Sequence, residues 1–160
     1  MKILVPVDGS TASINAVKKS IEVAKKFNGT IKLLSVVHID SLQNYLRYKK
    51  QWSQVDGSAI SELDPEQKKI EDKMKENSCK ILNAIVEKLD FSNIHTEEEV
   101  LIGEPYEVIL ETAKNENFDL IVMGNRGFSK IKRFFVGSVT QRVISDSPCP
   151  VLVIHSKSDI

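Results

Sequence analysis

The sequence has little with which to staple, chelate or span. Only two cysteines, Cys79 and Cys149, stand among 160 residues. Their count and spacing offer neither a disulfide framework nor a metal-ligand pattern, so both are expected as buried structural thiols. Cys149 lies between two prolines, but no neighbour in sequence could serve it as a base. The three histidines, His38, His95 and His155, form no H-x-x-x-H pair, which argues against zinc. No apolar run approaches the ~20 residues of a membrane span. Met1-Lys2 leads straight into a strand-like run without the layout of a signal peptide, so the expectation is a cytoplasmic protein with no membrane partner. Charge of one sign is also lacking, with 22 basic residues against 22 acidic. No global field draws nucleic acid, and any anion site must be local. Internal repeats and low-complexity tracts are absent. What remains is an ordinary globular composition, and 1–160 is expected to form one domain with a real core.

Short apolar runs alternate with helical patterns. Ile3-Leu4-Val5-Pro6-Val7 reads as a strand buried on both faces, ending at Asp8-Gly9-Ser10. Pro6 lacks an N–H and so marks the strand's end or a local irregularity. Ser10 or Thr11 caps a helix whose Ala12, Ala16, Val17, Ile21 and Ala24 recur at helical spacing, and Asn28-Gly29 stops it. Thr30 to Val37 is the second strand. The pattern fades over about 40–64, where Tyr45, Arg47, Tyr48, Lys49, Lys50 and Trp52 make a basic, aromatic patch. A solvated loop with a short helix is favoured there over a lid or partner contact. Asp64-Pro65-Glu66-Gln67 opens a helix with the stripe Ile70, Met74, Ile81, Leu82, Ile85 and Leu89. Ile94 to Ile102 is a third strand, and Glu97-Glu98-Glu99 suits a sheet edge. Gly103-Glu104-Pro105 opens a helix that turns Tyr106, Ile109, Leu110 and Ala113 inward. Leu120 to Met123 is a fourth strand, and Val151 to Ile154, behind Pro148 and Pro150, a fifth.

The chemistry concentrates between the last two strands. Gly124 and Gly127 follow the fourth strand directly, and nine residues later Gly137-Ser138 opens a short helix with Val139, Val143 and Ile144 on one apolar face. Glycine permits close approach of backbone to a ligand. Ser138 suits an N-cap. A helix N-terminus presents free N–H groups and a positive dipole end to an anion. Strand, glycine loop and helix start therefore make an anion cradle. Arg126, Lys130, Lys132 and Arg133 either approach phosphates or form a solvated basic loop, while Phe128, Phe134 and Phe135 anchor it. A dinucleotide fingerprint should follow the first strand, and a P-loop requires G-K-[ST]; neither fits, and no G-x-S-x-G elbow is present.

The spacing G-x-x-G, nine residues, G-[ST] resembles that of the nucleotide-binding members of the universal stress protein family. The resemblance extends to ILVPVDGS at the start, IGEPYEVILETA in the middle and CPVLVI at the end, and omits about 40–64. Alternating strands and helices give a five-stranded parallel α/β sheet covered on both faces, and the resemblance implies the Rossmann-like order 3-2-1-4-5. Strands 1 and 4 then frame the crevice where ligands bind in open sheets. Asp8, by itself a turn residue, reads beside the glycine motif as a ribose ligand or a partner for a phosphate-bound metal. The resemblance makes Pro6 and Val7 part of the adenine and ribose wall, puts the Val36 backbone against the adenine, and sets Met123 nearby. Gly124, Gly127, Gly137, Ser138 and Val139 would hold the phosphates.

With the role under stress that the resemblance implies, the expectation is an ATP-binding, nucleotide-responsive regulator of the stress response, with AMP or ADP as other ligands and Mg or Mn accompanying the triphosphate. The alternatives are a slow ATPase at the same site, for which only Asp8 could serve as base, and an interaction module that binds no nucleotide. The resemblance implies a homodimer, expected to pair through the uncharged strand Val151, Leu152, Val153 and Ile154. A downstream protein partner is left unnamed.

Overall fold

The computed structural model describes residues 1–38, 65–127 and 136–156. The patch between Tyr45 and Trp52, the cap Asp64, the basic residues Lys130, Lys132 and Arg133, and the phenylalanines Phe128, Phe134 and Phe135 lie outside the described residues. The elements run β1 (Lys2–Pro6), α1 (Thr11–Phe27), β2 (Thr30–Val37), α2 (Pro65–Lys88), β3 (Thr96–Ile102), α3 (Pro105–Asn115), β4 (Leu120–Gly124), α4 (Ser138–Asp146) and β5 (Val151–Ile154). All strand pairs are parallel, in the order β3-β2-β1-β4-β5. Among the described residues, no helix is long and apolar enough to cross a membrane.

Successive residues of the central strands face opposite ways, which divides the core in two. Ile3, Val5 and Val7 join Ile31, Leu33 and the buried face of α1, with Leu82 and Ile85 of α2. Leu4 and Leu34 join Ile121, Met123, Ile109 and Val143 under α3 and α4. Helix α1 is capped as its sequence requires. The Ser10 hydroxyl accepts from the Ser13 amide at 3.2 Å, and Asn28 closes the helix in the left-handed conformation.

Several elements depart from the sequence reading. Among the described side chains of α2 only Leu82 and Ile85 are buried; Ile70 is 52% and Met74 36% exposed. A helix of 24 residues runs about 36 Å, whereas the eight-residue β2 spans only about 26 Å, so the first half of α2 outruns the sheet. In α4 the buried residues are Thr140 and Val143, and Ile144 is 48% exposed. The next residue along a helix turns about 100° away, so burying Val143 sends Ile144 outward. Cys79 is exposed and Cys149 half-buried, both as free thiols, which corrects the expectation of two buried cysteines. Burial pushes the Cys149 thiol up from its ordinary range, against its contact with the Ser147 hydroxyl.

The edge strand β3 carries its three glutamates as expected, but two are not left to repel. Lys32 on β2, with a side chain 12% exposed, reaches Glu99 at 3.1 Å, Glu97 at 3.9 Å and Glu116, at the end of α3, at 2.6 Å. Burial works against the ammonium, yet the hydrogen bonds and charges of Glu116 and Glu99 outweigh it, so Lys32 titrates above the ordinary lysine value of 10.5. The stabilisation linked to this shift is complete below pH 10.5 and is lost as pH rises through the higher folded value. Lys32→Met leaves three carboxylates facing one another. It should lower stability by about 1 kcal/mol at pH 7, a modest figure because the carboxylates are partly solvated. The deficit should shrink below about pH 4, as the carboxylates protonate; urea unfolding at the two pH values measures both effects.

Candidate functional site

Proline 6 determines where the sheet opens. It is the last residue of β1 and pairs with Leu34 on β2, while the β1–β4 pairing stops two residues earlier, at Leu4 opposite Ile121. Backbone N–H groups alternate sides along a strand. The Val7 amide donates to Leu34 on the β2 side at 2.8 Å, so the preceding position faces β4, and proline has no N–H to offer there. Beyond that point the chain leaves β1 toward α1 on one face and leaves β4 toward α4 on the other. The crevice lies between them, at the carboxyl ends of the strands.

A cavity of about 280 Å³ fills the crevice. Pro6, Val7, Leu34, Val36 and Met123 supply its apolar floor, and Pro105 and Ile109 of α3 close one side. Val36 contributes more than a side chain. It lies two residues beyond Leu34, the last β2 residue bonded to β1 among the described residues. By strand alternation its N–H and C=O face the same way as those of Leu34, past the end of β1. The opposite side is polar: Asp8, Ser13 and Arg126, then Gly124 and Gly127, then Gly137, Ser138, Val139 and Thr140 at the start of α4.

Local bonds hold this polar side. The Asp8 carboxylate accepts from the Ser10 amide at 2.9 Å, in a turn that needs Gly9 at φ +84°. Its other oxygen lies against Gly127, where an added Cβ would run into it. The Ser10 hydroxyl reaches back to the Arg126 carbonyl at 3.4 Å, and the Ser13 hydroxyl is satisfied by the Ser10 carbonyl at 2.9 Å. The Asn125 carbonyl accepts from the Gly137 amide at 2.8 Å, and Thr140 donates to the Gly124 carbonyl at 2.9 Å, which pins the start of α4 to the end of β4. Gly137, not Ser138, is the N-cap, with extended backbone and no side-chain cap; Ser138 is the first helical residue. A glycine cap brings no side-chain acceptor of its own to the first-turn N–H groups, which carry the anion-attracting end of the helix dipole.

The three glycines of the motif do different things. At Gly124 a Cβ would lie 2.8 Å from Ala12 Cβ and 2.9 Å from the Ser13 backbone nitrogen, so this position lets α1 pack on β4. Gly127 makes room for Asp8. At Gly137 a Cβ would meet nothing closer than 3.5 Å, and its backbone angles suit any residue.

All ten residues singled out from the sequence as nucleotide contacts border this one cavity. Ser13, Leu34, Pro105, Ile109 and Thr140 border it as well and were not singled out. Leu34 shares a strand face with Val36 and could have been found by the period of two. Pro105 and Ile109 are one helical turn apart, but only the packing of α3 shows which face of that turn is the wall. Among the described residues no group of three or more His, Cys, Asp or Glu could hold a metal ion. Among the described residues Asp8 is the one carboxylate at the cavity, so a cation held by them would need oxygens from the ligand.

Comparison with known proteins agrees with the architecture. The sequence pattern of the universal stress protein family matches residues 1–155. Universal stress protein MJ0531 of Methanocaldococcus jannaschii is 33% identical over 153 residues, which cover 96% of this chain and 81% of that protein. Among solved structures, MJ0577 of the same organism superposes with a TM-score of 0.77 at 25% identity, over 99% of this chain and 97% of that one. A family protein from Arabidopsis thaliana with AMP bound superposes at 0.64 with 19% identity, over 99% of this chain and 94% of that one, a likeness of fold. A pattern that spans nearly the whole sequence, together with a relative one third identical, establishes that the chain belongs to the universal stress protein family.

Proposed function

We propose that the cavity binds an adenine nucleotide, ATP first among AMP, ADP and ATP, and that occupancy makes the protein a nucleotide-responsive regulator of stress response in the cytoplasm. The observation that carries this reading is the joint provision of an apolar slot and a glycine-capped helix start in one cavity. Pro6, Val7, Leu34 and Met123 form a slot for a flat ring, edged by the N–H and C=O of Val36, which take no partner from β1 and suit the donor and acceptor edge of adenine. Asp8 would take the ribose hydroxyls. Gly127, Gly137 and the first N–H groups of α4 would take the phosphates. That a protein of the same fold holds AMP makes this ligand class the one to test. Mg or Mn would enter with the phosphates, Asp8 being the carboxylate among the described residues that could reach it; when bound, it would neutralise phosphate charge beside that carboxylate. The chain would act as a single domain, with about 40–64 as an insertion. Its dimer would form at β5, where Val151, Leu152, Val153 and Ile154 present an uncharged, part-exposed edge.

The glycines supply the test. Gly137→Ala should leave the urea midpoint unchanged and weaken ATP binding at least tenfold in calorimetry, about 1.4 kcal/mol, because its methyl group fits the protein but crowds the phosphates. Gly124→Ala should instead cost about 1–3 kcal/mol of stability through its clash with α1, with or without nucleotide. A wild-type chain that binds none of ATP, ADP or AMP overturns the reading. For the dimer, Val153→Lys should shift micromolar protein from dimer to monomer in sedimentation, and a wild-type monomer would refute this edge.

A further inference from the structure

We propose that Tyr106 and Arg142 form a brace that sets the width of the cavity, a positioning pair for the ligand rather than part of its lining. The inference rests on the nucleotide reading of that cavity. One wall is the first turn of α3, with Pro105 and Ile109; the facing wall is the start of α4, with Ser138, Val139 and Thr140. Tyr106 lies within that turn of α3. Arg142 lies one helical turn after Ser138. Neither borders the cavity itself.

Helix α4 needs such a brace. It has nine residues and buries only Thr140 and Val143. Its bonds to β4, from Gly137 to Asn125 and from Thr140 to Gly124, hold its first turn at one end. They fix where the helix starts; its lean toward α3 rests on the apolar layer that Val139 and Val143 share with Ile109 and, on the exposed side, on Arg142. Among the described residues no hydrogen bond or ion pair joins α3 to α4. The Arg142 guanidinium instead sits 4.5 Å from the centre of the Tyr106 ring, within the range of cation–π attraction. The Tyr106 hydroxyl donates to the adjacent Glu107 at 2.8 Å, so the ring and not the hydroxyl meets Arg142. The ring also packs on the core layer that contains Ile109 and Met123, so the brace is continuous with the cavity floor. Because Arg142 is exposed, the contact contributes little to folding, yet it determines the distance between base wall and phosphate end. Small errors in such a distance cost affinity.

ATP affinity by calorimetry and stability by urea unfolding, measured on the same proteins, separate the two roles. Arg142→Ala and Tyr106→Ala should each bind ATP about fivefold more weakly, and the double variant no more weakly than either. Tyr106→Phe, which keeps the ring beneath the guanidinium, should bind like wild type, and Arg142→Ala should keep the wild-type urea midpoint. Wild-type affinity in folded Arg142→Ala overturns the brace, as does a double variant whose loss is the product of the two single losses. If wild-type chain binds no nucleotide, the functional reading fails and the brace with it; if wild type binds and the variants bind equally, the brace alone fails.

Discussion

The divergence of β1 and β4 is the constraint on which the site depends. A parallel sheet covered on both faces must send some crossovers to each side. Where two adjacent strands send theirs opposite ways, the layer above the sheet has a gap. Here the gap is widened by chemistry as well as topology. Pro6 withholds the one N–H that would continue the β1–β4 ladder, so these strands part at Leu4 and Ile121 while β1 and β2 stay paired to Pro6 and Leu34. The cavity floor, the exposed edge of Val36 and the two helix starts that face it all follow from that parting.

Close approach of backbone to backbone then brings the two halves of the site together. Gly124 allows α1 to lie against β4, and that contact carries Ser10 to the Arg126 carbonyl and Asp8 to Gly127. A loop after the first strand and a loop after the fourth thus become one surface. The glycine motif looks uniform in sequence but divides its labour: one position for helix packing, one for a carboxylate, and one that the protein leaves free.

Much of this was legible because local physics and tertiary structure agree. The apolar runs of β1, β2 and β4 became buried strands, the face of α1 became core, Ser10 and Asn28 capped as their chemistry suggests, and the acidic strand lies at an edge. The family resemblance supplied the strand order that periodicity could not. Legibility ended where the answer depends on relative lengths and on neighbours. Ile70 and Met74 continue the α2 stripe in sequence, but the sheet beneath them has ended. Ile144 borders Val143 in sequence and turns away from it in space. Whether Gly137 or Ser138 caps α4 is a difference of one residue in backbone angles, which composition does not record. Lys32 drew no notice in a mostly apolar strand, since its three carboxylate neighbours come from two other elements.

The sheet order also dictates when in the life of the chain the site can exist. β1 meets β2 within a short span, but its other neighbour arrives late: the bond from the Lys2 amide to Asp119 closes a loop of 117 residues. Closing so long a loop costs entropy that is recovered only when β4 has docked and buried its apolar face. A chain emerging during synthesis therefore has β1, α1 and β2, and with them Asp8 and Val36, long before it has a cavity. The crevice waits for β4 and α4, which bring its second half to the sheet.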